Sequence, residues 1–240
     1  MATTIAVAGD VMLGRGVDDR LREHGPAWPW GDLLPELWAV DLFLVNLECA
    51  LTSRTTRWPG DAYKPFHFRS APEHVESLRR ARVDFASVAN NHVADFGFDG
   101  LLDTLRVLDG AGIRHAGAGS DLAHACRPAR LACDDLRVAV VAAADHPLEW
   151  AATDRSPGLF HVVASTNSHL FSRVERALAE ARSGADLVVF SIHWGPNMRA
   201  SPTPEFRAFA RRVIECGAAV FWGHSAHVVQ GIEIVDERPV

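Results

Sequence analysis

Hydrophobic residues come along this chain in short unbroken runs, and several runs stop abruptly at polar side chains. Ile5-Ala6-Val7-Ala8 stops at Gly9-Asp10, Leu42-Phe43-Leu44-Val45 at Asn46-Leu47-Glu48, and Phe85-Ala86-Ser87-Val88-Ala89 at Asn90-Asn91-His92. Later, Leu187–Ile192 runs into His193-Trp194-Gly195, and Ala218–Trp222 into Gly223-His224-Ser225-Ala226-His227. Apolar runs of about four to eight residues bounded by turn formers read as strands buried on both faces, the habit of parallel sheets. Strands are therefore predicted at 4–9, 41–48, 83–89, 129–133, 136–143, 186–192 and 218–222, with a short one near 113–115. Val228 to Val235 alternates and is predicted as a last strand. Helices are predicted at 17–24, 71–82, 98–110, 121–126, 166–182 and 203–216. The third of these carries Leu101, Leu102, Leu105 and Leu108 at helical spacing. Ala71-Pro72-Glu73 sets proline in a first turn, Asp32 is a candidate cap, and Asp134-Asp135 is a hairpin turn. Residues 52–70, rich in Thr, Arg, Pro and Gly, read as a long loop, of a kind usually either functional or disordered.

Strand alternating with helix predicts an α/β architecture, and the 129–143 hairpin makes the sheets mixed. The 240 residues fit one domain, 48% hydrophobic and 22% charged. A formal charge of −6 and scattered arginines exclude a phosphate-binding face, so no nucleic-acid partner is expected. None of the four cysteines, Cys49, Cys126, Cys133 and Cys216, forms a CxxC pair; the thiols are expected reduced. Met1-Ala2-Thr3-Thr4 lacks a basic leader, and no apolar run approaches the ~18 residues of a membrane span. The chain reads as cytoplasmic, with no membrane insertion.

In a sheet of like-directed strands the polar run ends meet along one edge, where such folds bind ligands. Asp10 opens a turn with three glycines in eight residues, Gly9, Gly14 and Gly16, which let backbone approach a ligand closely. Asn46 and Glu48, two apart on a strand, face the same side. Asn91 offers a carbonyl oxygen to a divalent cation, and neighbouring His92 an acid that Asp95 can orient. His193, His224 and His227 add imidazole, a ligand for zinc, iron or manganese. Mixed nitrogen and oxygen donors with a bridging carboxylate suit a two-metal hydrolytic centre. The remaining histidines read as surface residues, with His67 and His146 on the substrate side.

These motifs, in this order from about residue 4 to 235, resemble the CapA family of bacterial capsule-synthesis proteins associated with poly-γ-glutamate. The residues are Gly9-Asp10-Val11-Met12-Leu13-Gly14-Arg15, Val45-Asn46-Leu47-Glu48, Ala89-Asn90-Asn91-His92 with Asp95 and Gly97, and Gly112-Ile113 through Gly117-Ala118-Gly119. His193-Trp194-Gly195 and Gly223-His224-Ser225-Ala226-His227-Val228-Val229-Gln230 complete them. The family is similar in fold to calcineurin-like metallophosphoesterases, which implies packed mixed β-sheets flanked by helices in a single domain over 1–240. That resemblance implies metal ligation by Asp10, Glu48, Asn91, His193, His224 and His227 and catalysis by His92 with Asp95. It implies two divalent ions (Mn, Zn or Fe) and a hydrolase acting on a phosphoester or a γ-glutamyl amide. Arg15, Asn46, Asn90 and Lys64 are placed on the substrate side. The substrate is anionic, small or polymeric, and a capsule or polyglutamate synthase is the implied partner; the alternative is a non-catalytic accessory protein binding an acidic polymer or the synthase. Two positions depart from the phosphoesterase pattern: Met12 stands where it has histidine, and the last pair is spaced GHxxH, not GHxH. CapA chains generally continue with a further strand, whereas this sequence stops at Val240.

Overall fold

A computed structural model describes residues 2–60, 64–167, 169 and 171–240. The chain divides into two compact units, residues 1–115 and 116–240.

In the first unit β1 (Ile5–Val11), α1 (Gly16–His24), α2 (Leu34–Trp38), β2 (Leu42–Leu47), β3 (Ala50–Leu51) and β4 (Arg69–Ser70) come first. They are followed by α3 (Val75–Arg80), β5 (Phe85–Ser87), α4 (Gly97–Gly110) and β6 (Arg114–Ala116). The main sheet has the order β1-β2-β5-β6. β2 runs parallel to both neighbours and all six of its residues are buried, as its unbroken apolar run requires. The register pairs Asp10 with Asn46 and Asn46 with Ser87, so the carboxyl ends of three strands finish level. The helix predicted over 71–82 is a 3₁₀ turn, Pro72–His74, continued by α3. Asp32 lies inside a 3₁₀ turn and caps nothing through its side chain. On α4 the buried face is Gly100, Leu101, Thr104 and Leu108, while Leu102 and Leu105 are half-buried. Thr104 joins that face by accepting the Leu51 N–H at 2.9 Å and donating to the Gly100 carbonyl at 2.8 Å.

The second unit contains β7 (Ala118–Gly119), α5 (Leu122–Cys126), β8 (Ala129–Cys133), β9 (Leu136–Ala144) and β10 (Gly158–Leu159). Then come α6 (Phe171–Arg182), β11 (Leu187–His193), α7 (Pro204–Glu215) and β12 (Val220–His224). The sheet order is β12-β11-β9-β8, parallel except for the β8–β9 hairpin, which turns at Asp134-Asp135 as predicted. Ala144, His193 and His224 share one register line at the strand ends. Behind the sheet lies an aromatic core in which Phe190 stacks on Phe221 at 5.8 Å and Phe171 meets Phe209 edge-on at 5.5 Å. The strand predicted over Val228–Val235 shrinks to Ile234–Val235, paired with Arg238–Pro239. Val229 and Ile232 are 98% and 84% exposed, so the alternation there records no buried face.

No disulfide joins the four cysteines among the described residues. Among the described residues no helix is long and apolar enough to cross a membrane.

Candidate functional site

The first unit gathers its polar residues behind the level ends of β1, β2 and β5. Asp10 Oδ1 accepts from Asn46 Nδ2 at 2.8 Å. Asn46 Oδ1 accepts from Asn90 Nδ2 at 3.1 Å, and Asn90 also donates to the Leu47 carbonyl at 2.8 Å. Asn90 Oδ1 takes the backbone N–H groups of His92 and Val93, both at 3.0 Å, which folds the turn after β5. Asn46 and Asn90 are thus wholly buried supports behind Asp10, with amides committed to protein partners.

His92 Nδ1 lies 2.6 Å from Asp95 Oδ2, and its Nε2 lies 3.9 Å from Glu48 Oε1. Asp95 is fully buried and also accepts from Phe68 N at 2.6 Å. The Lys64 ammonium, 13% exposed, donates to both Asp95 and the Asn91 carbonyl, so this cation points inward and holds the acid–imidazole pair rather than standing open to an anion. Glu48 is buried with its neighbours mostly of its own sign. Burial foremost, then the charge of Asp10, push its carboxyl up to about 8 against the pull of Lys64, with Asp95 pushing the same way. Asn91 Oδ1 is buried with no hydrogen-bond partner among the described residues. Met12, at the histidine position of the phosphoesterase pattern, uses its thioether to accept the Gly14 N–H at 3.0 Å.

The second unit brings imidazoles to its own strand ends. His193 Nδ1 faces His224 Nδ1 at 3.1 Å, and His224 Nε2 meets Ser191 Oγ at 2.9 Å. Two facing ring nitrogens require a proton or a cation between them. Trp222 lies against His224, ring centroids 5.2 Å apart. The Gly223–His227 turn ends in an exposed His227 and holds Ser225 and His227 at φ 99° and 54°, conformations rarely adopted by non-glycine residues. Such backbone outliers concentrate at functional sites.

Sequence reasoning missed Asp145 and His161, and placed His146 on the substrate side without its carboxylate partner. Asp145 follows β9, takes the Gly195 N–H at 3.0 Å through Oδ2, and pairs through Oδ1 with His146 Nδ1. His146 lies 5.4 Å from His193, ring to ring. His161, predicted as surface, is buried; its Nε2 meets the Asp145 carbonyl at 3.0 Å, and burial above all lowers its pKa. The signal for Asp145 was available: β9 is another buried run ending in Asp-His. His74, also predicted as surface, is buried against Asp18, 2.7 Å from its carboxylate.

The fold is like that of solved phosphatases, and in each unit parallel strands end in polar side chains, carboxylates and amides in the first and imidazoles in the second. A structure titled as a novel phosphatase from Mycoplasma pneumoniae aligns with a TM-score of 0.57 at 14% identity, over 98% of this chain and 68% of that one. The chain belongs to the bacterial capsule synthesis protein family PGA_cap, whose model matches residues 4–240. A Mycobacterium tuberculosis relative named "Probable polyglutamine synthesis accessory protein" is 34% identical over 99% of this chain and 72% of its own length. The capsule biosynthesis protein CapA of Bacillus anthracis is 27% identical, over 96% of this chain and 56% of its own length.

Proposed function

We propose that the chain is a metal-dependent hydrolase of capsule or polyglutamate metabolism, cleaving a phosphoester or a γ-glutamyl amide. In this reading Asp10, Glu48, Asn91, His193, His224 and His227 hold two divalent cations, Mn²⁺, Zn²⁺ or Fe²⁺. The observation that carries it is the orphaned amide oxygen of Asn91, beside a His92 ring whose neighbour Glu48 is a buried, mutually repelled carboxylate. A buried acceptor left without a donor costs about 1–3 kcal/mol, which coordination to a cation removes. Carboxylate, amide carbonyl and imidazole form a donor set that fits such ions. Bound there, divalent cations supply a nucleophile at neutral pH and positive charge for the developing oxyanion.

The protein's own residues do the rest. Asp95 holds the His92 ring by its Nδ1, which leaves Nε2 facing away from that carboxylate. Nε2 then carries the proton delivered to the leaving group, a role worth roughly 10²–10⁴-fold. Lys64 and the Phe68 N–H lock the Asp95 carboxylate, so the ring has one orientation. Arg15 receives the anionic part of the substrate.

A second reading, a non-catalytic accessory that binds an acidic polymer or a synthase, is favoured by Met12. Its sulfur is engaged in the glycine turn and replaces a hard-metal ligand by a thioether. The word "accessory" in the name of the M. tuberculosis relative points the same way. Metal analysis of protein purified without a histidine tag separates the two, together with turnover of bis-p-nitrophenyl phosphate and of poly-γ-glutamate. The hydrolase reading expects bound metal and turnover that disappear in the double variant His224→Ala/His227→Ala. Metal-free protein that stays inactive with added Mn²⁺, Zn²⁺ or Fe²⁺ rejects it in favour of the accessory role.

A further inference from the structure

From the candidate acid outward, one wall of the first unit is a continuous stack. Phe68 lies on the His92 ring, centroids 3.9 Å apart and planes 27° from parallel. Phe66 stacks on Phe68 at 6.3 Å and 18°, and the Arg15 guanidinium carbon lies 4.9 Å from the centre of the Phe66 ring. Phe66 is half exposed and Arg15 is exposed at the outer end. Arg54, Arg22 and Arg20 of the same unit all pair with carboxylates, whereas no carboxylate pairs with Arg15 among the described residues. Its charge lies over a ring face, and among the described residues no hydrogen bond spends the planar N–H fork.

The backbone reinforces this placement. Arg15 sits at φ 55°, ψ −132°, a conformation costly for any residue with a side chain. The preceding Gly14 is pressed on β4 so closely that a Cβ there would lie 2.7 Å from the Arg69 carbonyl oxygen. The glycine turn is thereby fixed to the end of the segment that bears Phe66 and Phe68, and the strained residue that follows carries the guanidinium over the ring. A guanidinium so preorganised loses little freedom on binding and matches carboxylate or phosphate oxygens two at a time.

We propose that Arg15 and Phe66 form an anion clamp that selects substrates bearing a second anionic group, carboxylate or phosphate, beside the bond presented to His92. The proposal deepens the hydrolase reading by naming the substrate class, and its test is a binding measurement that stands apart from turnover.

Calorimetry with the metal-loaded protein compares a γ-linked glutamate pentamer, the same pentamer with its α-carboxylates amidated, and inorganic pyrophosphate. Arg15→Gln is expected to weaken the charged pentamer by about 10- to 100-fold, the value of a charged hydrogen-bonded contact. Phe66→Leu, which removes the ring but keeps an apolar side chain, should weaken it by about 2- to 5-fold. The amidated pentamer should bind wild type no better than it binds Arg15→Gln. Arg15-dependent binding of pyrophosphate but not of the pentamer assigns the clamp to phosphate. Unchanged affinity of both anions in Arg15→Gln, with an unchanged melting temperature, overturns the clamp. Arg15-dependent binding in a wild-type protein that hydrolyses nothing leaves the clamp standing and removes the hydrolase.

Discussion

At the strand ends of the first unit stand oxygen donors, Asp10, Glu48, Asn91 and Asp95, with His92 for an imidazole. At those of the second stand nitrogen donors, His193, His224 and His227, with Asp145 for a carboxylate. Both sets follow parallel strands, yet they settle their electrostatics in opposite ways. Burial first, and then the neighbouring Asp10 carboxylate, push Glu48 up to about 8. Imidazoles crowded together share protons, as His193 and His224 do at 3.1 Å. The oxygen set therefore has the greater need of positive charge. In the proposed metal site the nitrogen set would discriminate among ions by its softer donors.

The sharpest way to break this contrast is His92→Ala, which takes the proposed acid from the oxygen-rich unit and leaves every proposed ligand in place. Turnover should fall roughly 10²–10⁴-fold, with bound metal unchanged by elemental analysis. A parallel loss of metal would mean that His92 is itself a ligand. Next in size, His224→Ala should weaken Zn²⁺ more than Mn²⁺, and Asp10→Asn the reverse. Each favoured ion should lose roughly 100-fold or more, beyond the 10–100-fold typical of outer-shell partners. Equal losses for both ions in both variants would erase the division of labour. Asp145→Asn, which loosens the Gly195 turn and His146, should cost about tenfold in metal affinity without unfolding the protein.

Much of this contrast is legible in the sequence because Asp, Asn or His at the end of a buried apolar run is costly unless it meets a partner. The Leu187–Ile192 run gives β11 to within a residue, and Asp134-Asp135 gives the hairpin. Asp145 and His146 are legible as the polar end of β9, whereas His161 is illegible for a different reason: its contact with Asp145 joins segments 16 residues apart, and no local pattern announces it. Lys64 looks from the sequence like a loop cation open to anions, but a buried Asp95 draws it inward. Alternation over Val228–Val235 misleads because period two records a half-buried strand only where a neighbouring sheet receives it.

Two acids away from the strand ends extend the comparison to stability. In the first unit burial raises the Asp18 carboxyl, but hydrogen bonds from Ala71 N and Ser70, with the charges of Arg22 and His74, outweigh it and leave the pKa lowered. In the second, the Arg137 side-chain and backbone hydrogen bonds bring exposed Asp186 down to about 2. Both acids are depressed, so each contribution is complete above the unfolded carboxylate range and is lost as pH falls through the folded value. Asp18→Asn should cost about 1–2 kcal/mol at pH 7, measured by urea unfolding, a difference that narrows as pH drops below about 4. Asp186→Asn should have the smallest effect, and the gap to wild type should close between about pH 4 and pH 2. A gap that widens on acidification would reverse the assigned sign.

Trp222, packed 5.2 Å from the His224 ring, makes the nitrogen-rich edge optically addressable. In a variant that keeps this indole and replaces the other six tryptophans, emission becomes a gauge of what occupies the neighbouring imidazole. A paramagnetic ion seated there should darken it and a diamagnetic one should not, so fluorescence titration can distinguish manganese from zinc without any substrate being known.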